Sequence, residues 1–144
     1  MRKCIHVCAA VLVAVASGAA AAAEPNMAEG KWEVTGKMTM EGLPFRMPAV
    51  PISYSQCLTK KDLVPQQKEQ NKDCKLVSQK ILGNTVTWVG SCVDKDGNKT
   101  DSTGTITYKG SSFDGKIDTV MRDPKGAKTT SKLQITGQRT GDCT

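Results

Sequence analysis

The side chains able to do chemistry in this chain are few. The single histidine, His6, lies in a segment expected to be removed. Without it, no Ser-His-Asp or Cys-His arrangement and no histidine-ligated zinc or copper site can be built. Met27, Met38, Met40 and Met47 offer thioethers, soft ligands that suit Cu(I). Met38 and Met40, however, alternate with polar residues on the same face as Trp32, where core methionines belong. The loop Asp94-Lys95-Asp96-Gly97-Asn98 has the composition of a calcium loop. Its glycine follows the second aspartate directly and no glutamate closes the site, so a charged hairpin turn fits it better. Glu33, Asp114 and Asp118 are carboxylates for acid–base work, but their parity turns them outward, where carboxylates are solvated. No catalytic residue, cofactor or metal site is therefore assigned, and the chain is expected not to be an enzyme.

Cysteine is the remaining chemistry. Cys4 and Cys8 lie in the segment expected to be removed, leaving Cys57, Cys74, Cys92 and Cys143. An even number in a small exported domain indicates a disulfide framework, and the lack of a CxxC pair gives no support to redox catalysis. Export is expected from Arg2 and Lys3, the apolar residues 5–15 and the small residues 17–23, ending in Ala21-Ala22-Ala23. These are the three parts of a cleaved signal peptide. Residues 1–23 are thus the signal and 24–144 the mature domain, located in the periplasm or outside the cell. No membrane insertion is expected once the signal is gone.

The mature part keeps 18 Lys and Arg against 14 Asp and Glu, a net charge of +4. Lys60, Lys75, Lys99, Lys116 and Lys132 are scattered and have few aromatic neighbours. A nucleic-acid surface clusters its cations and interleaves stacking rings, so nucleic acid is not an expected partner.

The elements that must position these residues are strands. Residues 31–40 alternate Trp32, Val34, Met38 and Met40 with Lys31, Glu33, Thr35, Lys37 and Thr39, the period of a half-buried antiparallel strand. After prolines 44, 48 and 51, Val50, Ile52 and Tyr54 resume the alternation towards Cys57. Thr59-Lys60-Lys61-Asp62 before Leu63 and Val64 has the form of a capping box, which predicts one short helical turn near 59–64, stopped by Pro65. A polar surface loop is expected from 66 to 73. Strands are then predicted over 76–81, 86–93, 103–108, 113–121 and 129–139, separated by Gly83-Asn84, Asp96-Gly97-Asn98, Gly110-Ser111 and Asp123-Pro124-Lys125-Gly126. Seven strands at this spacing make an all-β antiparallel meander, either a strongly curved open sheet or a barrel. Gly36, Gly90, Gly104, Gly115 and Gly137 fall on the face of the large apolar residues. Glycines there let a sheet coil sharply, or leave space beneath it.

Strand directions constrain the disulfides. Cys74 and Cys92 lie at the open ends of the hairpin turned at Gly83-Asn84. A two-residue turn would pair Lys75 with Cys92, so this bond requires a longer loop or a bulge. The long connection after Leu58 can cross the domain and bring Cys57 and Cys143 to the other end. The expected pairing is Cys74–Cys92 with Cys57–Cys143, and its rival is Cys57–Cys74 with Cys92–Cys143.

Gly30-Lys31-Trp32-Glu33-Val34, the methionine- and proline-bearing stretch 38–51, Gln56-Cys57-Leu58-Thr59, the Cys74–Cys92 hairpin and the ending Gly141-Asp142-Cys143 occur in this order. The set resembles the small exported proteobacterial proteins grouped as domain of unknown function 3617. The resemblance spans the mature chain and implies an exported protein with no established activity. Gly30, Trp32 and Arg139 are also similar to the lipocalin-type barrels, in which a last-strand arginine packs over a first-strand tryptophan and closes one end.

Two functions follow as expectations. One is a non-catalytic binder of a small apolar ligand, its interior lined by Trp32, Met38, Met40, Tyr54, Trp88, Tyr108 and Phe113. The other is a protein-interaction module of the cell envelope, an accessory or inhibitor protein. Methionine-based Cu(I) binding is a remote third.

Overall fold

A computed structural model describes residues 24–65 and 72–144. Residues 1–23, expected to be a signal peptide, and most of the loop expected after Pro65 lie outside the described residues. Seven strands follow in chain order: β1 (Gly30–Glu41), β2 (Val50–Leu58), β3 (Lys72–Leu82), β4 (Thr85–Asp94), β5 (Lys99–Tyr108), β6 (Ser112–Arg122) and β7 (Lys128–Gly141). They form one antiparallel sheet in the order β2-β1-β7-β6-β5-β4-β3. Each strand expected from alternation is present. β5 starts earlier than its hydrophobic pattern because Lys99 already pairs with Val93 across the Asp94–Asn98 turn.

The sheet is open, with β2 and β3 at its edges. It is also strongly coiled, since Ile52 and Tyr54 of β2 and Cys74 of β3 line one cavity although five strands separate them in the sheet. The expectation of a curved sheet holds, and the barrel alternative gives way to an unclosed one.

The inward face divides into a filled half and a hollow half. The filled half holds Trp32, Tyr108 and Phe113, each almost wholly buried. Trp32 stacks on Phe113 with centroids 5.4 Å apart, and Tyr108 meets both rings edge-on. Such pairs add about 0.5–1.5 kcal/mol each beyond the burial of their area. Val34, Val86, Ile106 and Ile135 complete the layer. Two inward glycines make room for large rings, Gly137 for Phe113 of this layer and Gly104 for Trp88 beyond it. A Cβ on Gly137 would stand 2.1 Å from Phe113 Cε1, and one on Gly104 would stand 2.0 Å from Trp88 Cζ2.

Two non-strand segments plug the filled end. Residues before β1 dock on the β5–β6 turn, where Ala28 N–H donates to Gly110 C=O (3.0 Å) and Gly110 N–H donates to Asn26 C=O (2.8 Å). Met27 is buried by that docking. The chain leaving β2 contributes Leu58, Leu63 and Val64, all buried.

The helical turn expected near 59–64 is not formed. Thr59 to Asp62 is a β-turn, closed by Asp62 N–H donating to Thr59 C=O (3.0 Å). Its potential helical groups are claimed elsewhere: Lys60 N–H donates to the Glu29 carboxylate (2.7 Å) and Leu63 C=O accepts from the Tyr108 hydroxyl (2.5 Å). Burial of Leu63 and Val64 then draws the chain inward, and tertiary contacts override a local capping signal.

The disulfides pair Cys57 with Cys143 (Cα–Cα 5.6 Å) and Cys74 with Cys92 (4.0 Å). The second depends on a bulge. From the Gly83-Asn84 turn back to Ser78↔Val89 the register is that of a two-residue hairpin. Leu76 then opposes Gly90, so Val77 is the extra residue and Cys74 comes opposite Cys92. Cys57 and Cys143 sit at the other end, each beside the start of β1. Leu58 and Lys72 therefore stand at opposite ends of the sheet.

Candidate ligand-binding cavity

The hollow half is a cavity of about 400 Å³ to which all seven strands contribute. Its geometry follows from three successive rows of inward residues. The deepest row runs Trp88, Gly104, Ile117, Leu133 and Met38 across β4, β5, β6, β7 and β1. The next row is Gly90, Ser102, Thr119, Ser131 and Met40, and the outermost is Cys92, Thr100, Met121 and Thr129. Ile52 and Tyr54 close the β2 side, and Pro65, Lys72, Cys74 and Lys75 the β3 side.

Chemically the cavity is an apolar floor beneath a hydroxyl band. The Trp88 indole, itself buried, lies over Gly104. The band consists of Ser102, Thr119 and Ser131, with the Ser102 and Thr119 hydroxyls hydrogen-bonded to each other (3.1 Å). Burial pushes the Tyr54 phenol above its ordinary pKa. Tyr108 is raised further, chiefly by burial and then by the negative charge of Asp62 and by Tyr54. Both phenols are thus neutral, as befits groups in a desolvated interior.

Of the seven residues expected to line the interior, the structure brings four to the cavity: Met38, Met40, Tyr54 and Trp88. Trp32, Tyr108 and Phe113 share their parity but belong to the filled half, where they pack on one another. Parity alone did not point to Ile52, Ile117, Leu133, Met121 or the hydroxyl band as a group, although each has the inward period. Gly90 is the one inward glycine whose space stays empty, its nearest neighbour being the Lys75 carbonyl oxygen at 3.7 Å from a Cβ position.

Trp32 and Arg139 are directly paired across β1 and β7, but they close no barrel because the sheet is open. The Arg139 guanidinium lies over Gly30, where Nε donates to Glu29 C=O (2.7 Å) and a terminal nitrogen pairs with Asp142. Gly30 has φ of +151°, and a Cβ there would meet Arg139 Nε at 2.6 Å. That close approach is the physical role of the Gly30-x-Trp32 pattern.

Residues 27–143 match the family described as Protein of unknown function (DUF3617). The chain belongs to this family. No curated protein and no solved structure matches it.

The remaining candidates are placed as follows. The four methionines considered for Cu(I) are not brought together: Met38 and Met40 line the cavity, Met27 is buried beside Gly110, and Met47 is exposed between β1 and β2. The Asp94 loop satisfies itself. The Asp94 carboxylate accepts from Asp96 N–H, Asn98 N–H and the Asn98 amide (2.9, 2.9 and 2.7 Å). Among the described residues no group of three or more His, Cys, Asp or Glu is arranged to hold a metal. Glu33, Asp114 and Asp118 are exposed, and Asp114 pairs with Lys109.

Proposed function

We propose that this protein is an exported, non-catalytic binder of a small apolar ligand, held in the cavity of its coiled sheet. The observation that carries the reading is the cavity itself. At about 400 Å³ it falls within the range of small-molecule sites, roughly 300–1,000 Å³. Its floor is apolar and contains an indole, and its polar groups are few and convergent, as ligand pockets generally are. The signal-like N-terminal pattern supports export, as do two disulfides, which persist in oxidising compartments. A mature chain that begins at or near Glu24 by intact mass is the expected outcome for the exported protein.

Fluorescence tests the binding. Trp88 lines the cavity and Trp32 lies in the filled half, so an apolar probe should quench the emission saturably and through Trp88. In Trp88→Ala the remaining Trp32 emission reports the fold and should respond little to the probe. Native mass spectrometry should show weaker probe binding for the variant. Non-saturable or undetectable quenching across several apolar probes would remove the ligand reading.

One feature favours the second reading, a protein-interaction module of the envelope. Leu76, Val77 and Leu82 on edge strand β3 are strongly exposed, and an edge strand with exposed apolar residues invites strand pairing with another chain. Native mass spectrometry of protein taken from its own compartment separates the readings by showing a small bound mass or a bound protein.

A further inference from the structure

Edge strand β3 differs from the other strands of the sheet. After half-buried Lys72 each of its residues is exposed, whereas the opposite edge, β2, alternates exposed residues with half-buried ones and ends on buried Leu58. Pairing with β4 fixes which way the β3 residues face. Leu76 and Ile81 stand opposite Gly90 and Val86 on the inward face, and Lys75 and Lys80 stand opposite Ser91 and Thr87 on the outward face. The inward residues Val86 and Trp88 of β4 are buried, yet Leu76 and Ile81 remain 48 % and 37 % exposed. The inner layer of the sheet thus stops one strand short, with apolar side chains uncovered where the next strand would lie.

The sheet cannot cover this edge with its own antiparallel partner. Six antiparallel pairings lead from β2 to β3, so the two edges run in the same direction, and a strand antiparallel to β3 is antiparallel to β2 as well. Two features restrict what can pair there. The bulge at Val77 splits β3 into two short regular runs, which discourages indiscriminate pairing. One lysine of the outward face lies in each run, and among the described residues neither Lys75 nor Lys80 makes an ion pair. A second copy of this chain would bring the same two lysines to the new ladder, and like charges across strands are destabilising. A strand with carboxylates on its outward face pairs with them instead.

We propose that β3 is the docking edge for an extended segment of a partner protein that alternates apolar with acidic residues and adds antiparallel to β3 as an eighth strand. Its apolar side chains cover Leu76 and Ile81, and its carboxylates face Lys75 and Lys80. Main-chain hydrogen bonds supply affinity and the alternating side chains supply specificity, as in other strand additions. The proposal rests on the interaction reading above, names the partner's chemistry and mode of binding, and is independent of what the cavity holds.

The test uses the disulfide-bonded mature protein, labelled with nitrogen-15, and three ten-residue peptides. One alternates valine with glutamate and one alternates valine with lysine. The third is the glutamate peptide with its two central valines replaced by proline, which cannot continue a ladder. Titrations are read by amide chemical shifts and hydrogen exchange. The glutamate peptide should shift and protect the β3 amides and bind about tenfold more tightly than the lysine peptide, the scale of two exposed ion pairs gained instead of opposed. The proline peptide should bind at least tenfold more weakly than its parent. Lys75 and Lys80 are exposed, so the Lys75→Glu/Lys80→Glu variant keeps the fold, which its amide spectrum outside β3 reports, and it should reverse the preference between the two charged peptides. Equal binding of those peptides, shifts centred on β2 or on the cavity, or self-association of the free protein through β3 would overturn the proposal. Native mass spectrometry of protein from its own compartment separates the two levels. A bound protein that leaves the β3 amides exchanging freely would overturn the edge assignment and leave the interaction reading standing, whereas no bound protein and no peptide binding would remove both.

Discussion

Two glycines on the same face of the sheet should respond in opposite directions to the same substitution. Gly104→Ala places a Cβ 2.0 Å from Trp88 Cζ2, with Cε2 and Cη2 at 2.3 and 2.4 Å. The obstacle is a rigid ring that is 4 % exposed, so it cannot swing into solvent. Overpacking of this kind costs about 1–3 kcal/mol, against which alanine recovers roughly 0.5–1 kcal/mol of strand entropy. The net expectation is a loss of about 1–2 kcal/mol. Gly90→Ala meets only Lys75 O at 3.7 Å, ordinary contact distance. It should keep the entropic gain, about 0.5 kcal/mol or more. The two variants are then separated by about 2 kcal/mol, or roughly 8 °C in Tm at about 4 °C per kcal/mol for a domain of this size. Urea unfolding by tryptophan emission and thermal unfolding by circular dichroism, both with disulfides intact, measure this. Probe binding gives a second readout, since displacing Trp88 reshapes the cavity floor and a methyl at Gly90 only trims its wall. Equal stability of the two variants, or a larger loss at Gly90, would refute the assignment of filled and hollow halves.

The disulfides should be unequal. On the loop-entropy relation the 86-residue separation of Cys57–Cys143 corresponds to about 4.5 kcal/mol and the 18-residue separation of Cys74–Cys92 to about 3 kcal/mol, measurable as urea midpoints of the two double-serine variants. Cys74→Ser/Cys92→Ser should also lower probe affinity, because that bond lines the cavity, whereas loss of the distant Cys57–Cys143 bond should not. Non-reducing tryptic mapping should join the Cys57 peptide to that of Cys143, and a Cys57–Cys74 link would contradict the crossing connection. The Asn98 amide and the backbone N–H groups of Asn98 and Asp96 hold the Asp94 carboxyl below the ordinary aspartate value. A depressed folded pKa contributes stability that is present above the unfolded value, near 3.9, and is lost as pH falls through the folded one. Asp94→Asn should therefore flatten the stability profile on the acid side of about pH 4.

Most of the fold is local in origin and was legible for that reason. Period-two alternation marks β1 because one face meets the core and the other water, and the glycine-bearing turns separate the later strands. The bulge at Val77 was foreseeable as a necessity from the cysteine spacing, though not its position, which depends on where β3 can accommodate an unpaired residue. Leu63 and Val64 show the limit. Their local context has a capping signal, but burial beside Tyr108 is worth more than one helical turn, and nothing nearby in the chain announces Tyr108.

The division of the interior into filled and hollow halves was not legible, because it depends on register between distant strands. Trp32, Met38 and Met40 share one strand and one parity, so alternation treats them alike. Their fates differ because β1 pairs with β7, more than ninety residues away in the chain. That register sets Trp32 one row from Gly137, whose missing side chain admits the Phe113 ring on which Trp32 stacks. Met40 instead comes opposite Ser131, in a row that continues through Thr119 and Ser102 to Gly90. No large side chain in that row reaches across the coil, and Gly90 adds none. Large residues beside glycines fill space, and small residues beside a glycine leave it. The cavity arises where the second combination recurs across four strands, and the edge strand bordering it there is secured by its ladder to β4 and the Cys74–Cys92 bond, not by core burial.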